Sequence, residues 1–411
     1  MGDINLQLSV PDFSDRDKPS RAFIDEMQKR FPTERETDAL LVRKLERRGA
    51  TPPYQRPSLA DLSKNLHAML DEVIQGEYEV SGQSWFSGGV SKIQMGFTLA
   101  WEDPKVGARR ERLVIRMDPS ESHNATSRVR EWELLKFFSD SIPVPEVFFL
   151  DPDGRWFPEP AIIYSFVEGV TKPTGSNTGQ VSGIGTHFGT ELRAKLAPQY
   201  MRHLALIHTA DVVSAKLPSL DVPRPGTTEG ALWQVNRARR VWEEDRGEDF
   251  PLMDVAACWL KKNLPITDHV AIVHGDYRSG NFLFDQESGQ ITAWLDWERG
   301  HLGDRHRDLT WITQREFGHY DRDGKTYLVC GLIPLHEFYD QYTHYSGLSV
   351  DPDRLAYYRV LNCYQILGSL IASAYRVSHL GKTHQDVLLA RVMGMAPSVA
   401  SELVRLLEEV G

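Results

Sequence analysis

The spacing of apolar positions divides the chain into helical and strand-forming parts. Up to about residue 79 the apolar residues recur at three- and four-residue intervals, as Leu62, Leu66 and Leu70 do, which predicts amphipathic helices. Strand-like alternation follows and predicts strands over 80–86, 93–101, 112–117, 147–150 and 161–165, with one helix over 127–138. Helical spacing then predicts helices over 192–209, 229–244, 251–262, 332–345, 352–378 and 384–409, interrupted by strands over 270–273, 281–284 and 291–295. The pattern therefore predicts an α+β protein with a strand-rich part between helical ones.

The interruption at residues 270–297 carries the strongest chemical signal. An apolar run predicts a buried strand, and the polar loop behind it contains His274, Asp276 and Asn281. The two β-rich pieces that follow predict a hairpin that ends at Asp296. This arrangement brings two carboxylates and a carboxamide towards one point. The simplest alternative is a polar hairpin whose Asp and Asn side chains only satisfy local hydrogen bonds.

Phosphoryl transfer from a nucleotide uses this set of groups. One carboxylate orients and deprotonates the attacking hydroxyl, while a second carboxylate and a carboxamide hold Mg²⁺, which prefers oxygen ligands. The stretch reads V-H-G-D-Y-R-S-G-N, followed by L-D-W-E. It resembles the catalytic and metal-binding loops of the aminoglycoside phosphotransferase and choline kinase-like family, relatives of the protein kinases. The most similar branch includes domains that are fused to acyl-CoA dehydrogenases.

The resemblance implies a bilobal, protein-kinase-like fold. It implies an N-terminal helical extension over 1–79, an N-lobe with a small antiparallel sheet over 80–165, and a mostly helical C-lobe over 166–411. It also implies that Asp276 is the catalytic carboxylate and that Asn281 and Asp296 are the metal ligands. We expect His274 to brace the loop rather than to transfer protons.

A glycine pair lies between the first two predicted strands, in the sequence S-G-G-V-S. Glycines let backbone N–H groups approach phosphate oxygens closely. Two glycines between strands more often make an ordinary hairpin, so the position along the chain gives this loop its weight. The family has a similar S-G-G-x-S-N loop, which implies that Ser87, Gly88, Gly89 and Ser91 contact the nucleotide. Lys92 stands where the Asn of that loop is common.

Two charged residues of the strand-rich part match a further pair in the kinases. Arg116 takes the place of the lysine that holds the α- and β-phosphates, and Glu131 that of the glutamate that tethers it, with Glu133 as the fallback. Arginine keeps the charge and binds phosphate as a fork. The alternative is an exposed strand arginine. The order of elements further implies that the backbone from Ser165 to Val167 is the hinge that binds an adenine edge.

Composition and charge narrow the class of protein. With 411 residues the chain is long enough for two lobes with their own cores, and a net charge of −10 argues against a nucleic-acid binder. The three cysteines are far apart, which suits a reducing compartment. The first residues lack the positive region of a signal peptide, and no apolar run has the length of a membrane span. We therefore expect a soluble, cytoplasmic protein that binds neither nucleic acid nor membrane.

Some features keep more than one interpretation. The N-terminal extension is expected to be a helical cap on the lobes, with a homodimer contact or a substrate lid as alternatives. The Gly- and Thr-rich stretch 171–190 is expected to be a mobile loop beside the site. His301, Asp304 and His306 would suit a transition metal, but the resemblance implies that this stretch caps a helix and packs the lobes.

Together these features predict an enzyme that uses ATP, or another nucleoside triphosphate, and Mg²⁺ to phosphorylate a hydroxyl of a small molecule. From residue 301 onwards the chain has 13 Asp or Glu and 11 Lys or Arg, so it has no acidic concentration of the kind that attracts polycationic aminoglycosides. Aromatic residues such as Trp233 and Tyr277 favour a neutral or aromatic hydroxyl compound. The second hypothesis is a nucleotide-binding pseudokinase that regulates a partner, although both Asp276 and Asp296 are present.

Overall fold

The computed structural model describes residues 13–50, 56–86, 92–119, 121–174, 183–381 and 386–411. Three helices come first in this part of the chain: α1 Arg21–Arg30, α2 Arg35–Ala50 and α3 Leu59–Val73. The helix α3 begins in a capping box, in which Asp61 N donates to Ser58 Oγ at 3.1 Å and Ser58 N donates to Asp61 Oδ2 at 3.2 Å.

The N-lobe is a five-stranded antiparallel sheet with one long helix. Its elements are β1 Tyr78–Trp85, β2 Ile93–Asp103, β3 Gly107–Met117, α4 Arg128–Phe138, β4 Val147–Asp151 and β5 Ala161–Ser165. The strands lie in the order β1-β2-β3-β5-β4. Alternation along β3 sends Leu113, Ile115 and Met117 into the core shared with α3, and Val114 into the core shared with α4 and the C-lobe. By the same alternation Arg116 lies on the face that looks towards the C-lobe.

The C-lobe is mostly helical. Its helices are α5 Thr190–His208, α6 Glu229–Asp245, α7 Pro251–Lys262, α8 His306–Ile312, α9 Leu335–Ser346, α10 Pro352–Gly368, α11 Ala374–Leu380, α12 Asp386–Met393 and α13 Ala396–Val410. Its strands are β6 Val270–Val273, β7 Phe282–Phe284, β8 Ile291–Trp294, β9 His301–Asp304, β10 His319–Tyr320, β11 Tyr327–Val329 and β12 Ile333–Pro334. Among the described residues, no helix combines the length and the apolar character that a membrane crossing requires. The two-lobed α+β architecture is the one predicted from the sequence.

Several short elements differ from the predicted ones. The strand β9 pairs antiparallel with β6, although its sequence HLGD has no strand-like alternation. The small sheet β10-β11-β12 was not predicted: β10 and β11 lie before the helix predicted over 332–345, and β12 lies at its start. The predicted helix over 384–409 is two helices, because the chain turns at Gly394 and Met395 before Pro397 opens α13. Strands of two to four residues carry too few positions for a periodic signal.

The helix α2 connects the two lobes through buried ion pairs. Its Arg48 side chain is fully buried and donates to Glu121 at 2.7 Å, in the segment between β3 and α4, and to Asp245 at 2.8 Å, at the end of α6. Near the start of α2, Glu34 accepts from Arg130 of α4 at 2.9 Å. The extension therefore packs against both lobes.

We predict that Arg48→Ala destabilises the protein by about 3–5 kcal/mol, because it removes the guanidinium that the buried carboxylates of Glu121 and Asp245 share and leaves Asp245 with Lys44 as its remaining cation. Urea denaturation followed by tryptophan fluorescence measures the change. Arg43→Ala is the matched control on the same helix, since its side chain is 46% exposed and lies 3.6 Å from an exposed Asp153. Equal midpoints for the two variants would contradict the bridging role of Arg48.

Candidate active site

A buried carboxylate fixes the loop that follows β6. Asp308 of α8 accepts from the backbone N–H of His274 at 2.7 Å and from that of Gly275 at 2.8 Å. Burial opposes its ionisation, but the hydrogen bond from His208 and the charge of that ring keep the pKa of Asp308 below its usual value. Gly275 has φ of 80°, and a Cβ there would lie 2.9 Å from the carbonyl oxygen of Arg299. The turn thus requires glycine and holds the next residue in a set position.

His274 braces this loop through both ring nitrogens. Its Nδ1 accepts from the backbone N–H of Asp276 at 3.3 Å, and its Nε2 donates to the carbonyl oxygen of Leu295 at 3.2 Å. Burial lowers the pKa of His274, and an Nδ1 that accepts a hydrogen bond belongs to the neutral form of the ring. Because both nitrogens are engaged with backbone, the contacts suit a brace and not a proton carrier.

The Asp276 carboxylate is held in one orientation. Its Oδ1 accepts from Trp311 Nε1 at 2.7 Å and from Arg278 Nε at 3.0 Å. Its Oδ2 accepts from Asn281 Nδ2 at 2.6 Å. The residue is only 9% exposed, and both carboxylate oxygens are positioned by neighbours. Trp311 was not among the residues predicted for the site.

The β7–β8 hairpin sets Asn281 close to the residue before Asp296. Phe282 pairs with Trp294, and Leu295 N donates to Asn281 O at 2.8 Å. Since Asn281 Nδ2 donates to Asp276, its Oδ1 is the carboxamide atom that can bind a cation. Asp296 is in the left-handed conformation with φ of 68°, which Asp and Asn tolerate better than most residues. The structure thus brings Asp276 and Asn281 into contact and Asp296 to the same end of the hairpin.

Arg116 joins the sheet to the Asp296 end of that hairpin. The guanidinium is 4% exposed and donates to Glu131 at 2.6 Å, to Glu298 at 2.7 Å and to Asp296. Burial alone would lower the pKa of Arg116, but these three carboxylates raise it well above its usual value. The predicted contact between Arg116 and Glu131 is present, whereas Glu133 accepts from Ser219 instead.

Glu298 is a residue of the site that sequence reasoning missed. Besides Arg116, it accepts from Arg128 Nη2 at 3.1 Å and lies 3.2 Å from Lys92 Nζ. Burial opposes its ionisation, but Lys92, Arg116 and Arg128 hold its pKa far below the usual value. The L-D-W-E signature contained this glutamate, yet only the fold shows that it gathers cations from three segments. Lys92 connects the end of the glycine loop to this cluster.

The structure describes only some of the residues that were predicted to bind the nucleotide. Ser87, Gly88, Gly89 and Ser91 lie outside the described residues. In the predicted hinge, Ser165 N donates to Glu146 O and Phe166 N donates to Arg112 O, each at 2.8 Å. Val167 makes no backbone hydrogen bond within the described chain, so in this hinge its backbone is the part open to a ligand.

The alternative transition-metal site is not formed. His306 Nδ1 lies 2.6 Å from Asp304 Oδ1, and His306 Nε2 accepts from Asp351 N at 2.9 Å. The nearby His301 Nδ1 donates to Arg299 O at 3.1 Å. In the described ranges no three His, Cys, Asp or Glu side chains are grouped for a metal ion.

Comparison with known proteins shows to which family the chain belongs. A model of the phosphotransferase enzyme family matches residues 102–358. The chain belongs to this family. It is 26% identical to mouse acyl-CoA dehydrogenase family member 10 over 48% of this chain, and 26% identical to mouse family member 11 over 47% of this chain. The matches cover 18% and 25% of those proteins, so the chain corresponds to a minor part of their length.

A solved structure has the same fold. It is a Ralstonia eutropha chain that is provisionally described as an aminoglycoside phosphotransferase, 21% identical, with a TM-score of 0.59. The match covers 84% of this chain and 98% of that one. At this identity the likeness concerns the fold alone. It confirms the kinase-like, two-lobed architecture that was predicted for this chain.

We predict that Glu298 and Arg128 are energetically coupled. A double-mutant cycle with Glu298→Gln and Arg128→Met should give a coupling of about 1–3 kcal/mol in the free energy of unfolding, because each single change removes one partner of a buried charge. The exposed pair Arg112 and Glu168, 3.6 Å apart, serves as the control cycle and should show no measurable coupling. Additive effects of the two substitutions would contradict an interaction between Glu298 and Arg128.

Proposed function

We propose that this chain is a phosphotransferase that moves the γ-phosphoryl group of ATP to a hydroxyl group of a small molecule. The observation that carries the proposal is the fixed carboxylate of Asp276, with Trp311 on one oxygen and Asn281 on the other. A carboxylate in a set orientation at the cleft can accept the proton of an attacking hydroxyl. The neighbouring Asn281 and Asp296 supply oxygens for the metal that accompanies the nucleotide.

The donor set fits Mg²⁺. This ion is usually held by one or two protein carboxylates together with substrate phosphates and water, not by a complete protein cage. Asn281 Oδ1 and the 30% exposed side chain of Asp296 offer such a partial set. Asn281 and Asp296 would hold Mg²⁺ there, where its charge would offset that of the phosphates. Asp296 also contacts Arg116, so its charge serves both a cation of the protein and the bound metal.

Arg116 and the hinge would hold the rest of the nucleotide. Arg116 is proposed to contact the phosphates, and Glu131 and Glu298 to fix its guanidinium. Near the free backbone of Val167, the rings of Phe86 and Phe166 stack with centroids 5.5 Å apart. Such an aromatic pair supports the binding of a flat purine base at this end of the cleft.

The acceptor side supports a substrate other than an aminoglycoside. The Arg278 guanidinium lies directly beside Asp276, and the charges of Asp276 and Asp296 raise its pKa against the effect of burial. An ammonium group of a polycation would be repelled there. We therefore propose an acceptor that is not a polycation, and composition favours a neutral or aromatic hydroxyl compound. The three free cysteines support a reducing, cytoplasmic location.

We predict that Asp276→Asn lowers the rate of phosphorylation about 10²–10⁴-fold, the usual effect of losing a general base. Mg·ATP affinity should change little, since the proposed metal ligands remain. Product formation with the best acceptor from a screen of hydroxyl compounds, alongside calorimetric titration of Mg·ATP, measures both. A variant as active as the wild type would show that Asp276 is only a structural brace. Wild-type protein that binds Mg·ATP but phosphorylates no acceptor would favour the pseudokinase.

We predict that Asp296→Asn raises the metal concentration needed for nucleotide binding. Asparagine tolerates the left-handed backbone here, so the variant tests the charge and not the fold. Loss of even an outer metal partner typically costs about 10–100-fold in affinity, so loss of a ligand should cost at least ~10-fold. Fluorescent-nucleotide titration with and without MgCl₂ measures the effect. Equal weakening of metal-free and metal-bound ATP would argue against metal ligation by Asp296.

A further inference from the structure

Three arginines gather beside the catalytic loop, on the side of the C-lobe helices. They are Arg237 of α6, Arg299 of the turn after the hairpin, and Arg307 of α8, which together we call the arginine cluster. Burial, Arg299 and Arg237 lower the pKa of Arg307 to about 9. Burial, Arg299 and, more weakly, Arg130 lower that of Arg237 to about 10. The packing agrees with this mutual repulsion. Trp311, one turn after Arg307 on α8, lies 4.7 Å from the Arg299 guanidinium, and α6 packs against β9, which begins two residues after Arg299.

The cluster differs from the other buried arginines of the protein. Of nine buried arginines in the described ranges, eight have a carboxylate partner: Arg16, Arg48, Arg116, Arg128, Arg130, Arg240, Arg305 and Arg376. Arg307 is the ninth; it is 3% exposed, and its Nη2 donates to the neutral amide oxygen of Gln365. Its Nη1 has no partner within the described chain. Asp308, the next residue, is bonded to the catalytic loop instead.

Neither of the other two arginines forms an ion pair with a carboxylate in the part of the chain that the structure describes. Arg237 and Arg299 are both half-buried. Glu34, whose charge acts on Arg237, is bonded to Arg130 at 2.9 Å. Beside the cluster, His301 is 1% exposed, and its Nε2 has no partner in the described ranges. Since His301 Nδ1 donates to Arg299 O, this Nε2 can accept a hydrogen bond.

The cluster adjoins the carboxylate that would orient the acceptor. The Arg299 guanidinium lies 4.7 Å from the centre of the Trp311 ring, and Trp311 Nε1 donates to Asp276 Oδ1 at 2.7 Å. The backbone of Arg299 packs against Gly275 of the catalytic loop. A molecule that presents a hydroxyl to Asp276 therefore has the cluster within the reach of a small substrate.

We propose that the arginine cluster binds an anionic group of the acceptor, a phosphate or a carboxylate, so that the substrate is an acidic hydroxyl compound. Guanidinium groups match both anions as two-point hydrogen-bond donors. Bringing the anion in supplies the countercharge that the cluster lacks, which offsets the cost of burying unpaired positive charge. The inference rests on the phosphotransferase function proposed above, and it replaces a neutral acceptor by an anionic one.

Calorimetric titration with inorganic phosphate and with acetate tests the site without any turnover. Both titrations are run at constant ionic strength with the nucleotide site filled by a non-hydrolysable Mg·ATP analogue. Wild-type protein should bind at least one of the two anions, and the preferred one identifies the group. Arg237→Gln should weaken this binding at least tenfold, and Arg237→Lys less. Arg359→Gln, an exposed arginine of α10, should leave it unchanged.

A substrate panel completes the test and separates the two proposals. The panel contains matched hydroxyl compounds that are neutral, carboxylated or phosphorylated. We expect wild-type protein to have a lower KM for the anionic members than for the neutral ones. Arg237→Gln should raise the KM for the anionic members at least tenfold, whereas Arg359→Gln should not. If anion binding depends on Arg237 but no acceptor is phosphorylated, the anion site of the arginine cluster is supported and the phosphotransferase function is overturned. Turnover of neutral alcohols without anion binding would overturn the proposal that the arginine cluster binds an anion. Anion binding that Arg237→Gln does not weaken would overturn it as well.

Discussion

The buried guanidinium of Arg116 is the constraint on which the cleft depends. It contacts Glu131 of α4, Asp296 at the hairpin end and Glu298 of the following turn, so one charge joins three segments. A buried charge that loses a partner is costly, so the sheet, α4 and the Asp296 end of the hairpin have to keep their relative positions. Lys92 and Arg128 extend this network through Glu298. One network of ion pairs thus determines the geometry of both the proposed phosphate site and the proposed metal site.

The N-terminal extension takes part in the same constraint. Glu36 of α2 accepts from the hydroxyl of Ser127, whose side chain caps α4, and Glu34 accepts from Arg130 one turn later. The helix that carries Glu131 is therefore held from outside by α2 as well as from inside by Arg116. Since Arg48 also fastens α2 to α6, the extension connects the C-lobe helices to the helix that positions Arg116. Residues far from the cleft in sequence thereby influence its geometry.

The sequence predicted the parts of the fold that carry long periodic signals and the parts of the site that form a compact motif. Arg116 and Glu131 meet, and Asp276 contacts Asn281, because strand order and a five-residue spacing determine both pairs. Glu298, Trp311 and the arginine cluster could not be predicted in this way. Their partners come from segments far apart in the chain, and their roles arise from which charges are left paired or unpaired once the chain has folded. Strands such as β9 are defined by their pairing with β6 and not by their own residues.

Two kinds of charge environment therefore meet at Asp276: a fully paired network on the nucleotide side and an unpaired arginine cluster on the other. This asymmetry is what an enzyme needs if it binds metal–nucleotide with one half of the cleft and an acidic acceptor with the other. The most direct measurement is a crystal structure with a non-hydrolysable ATP analogue and Mn²⁺ in place of Mg²⁺, with the metal located by anomalous scattering. We expect an anomalous peak bound by Asn281 Oδ1 and the Asp296 carboxylate, with the terminal phosphate facing Asp276. A nucleotide bound elsewhere, or a metal that contacts neither residue, would contradict the proposed site.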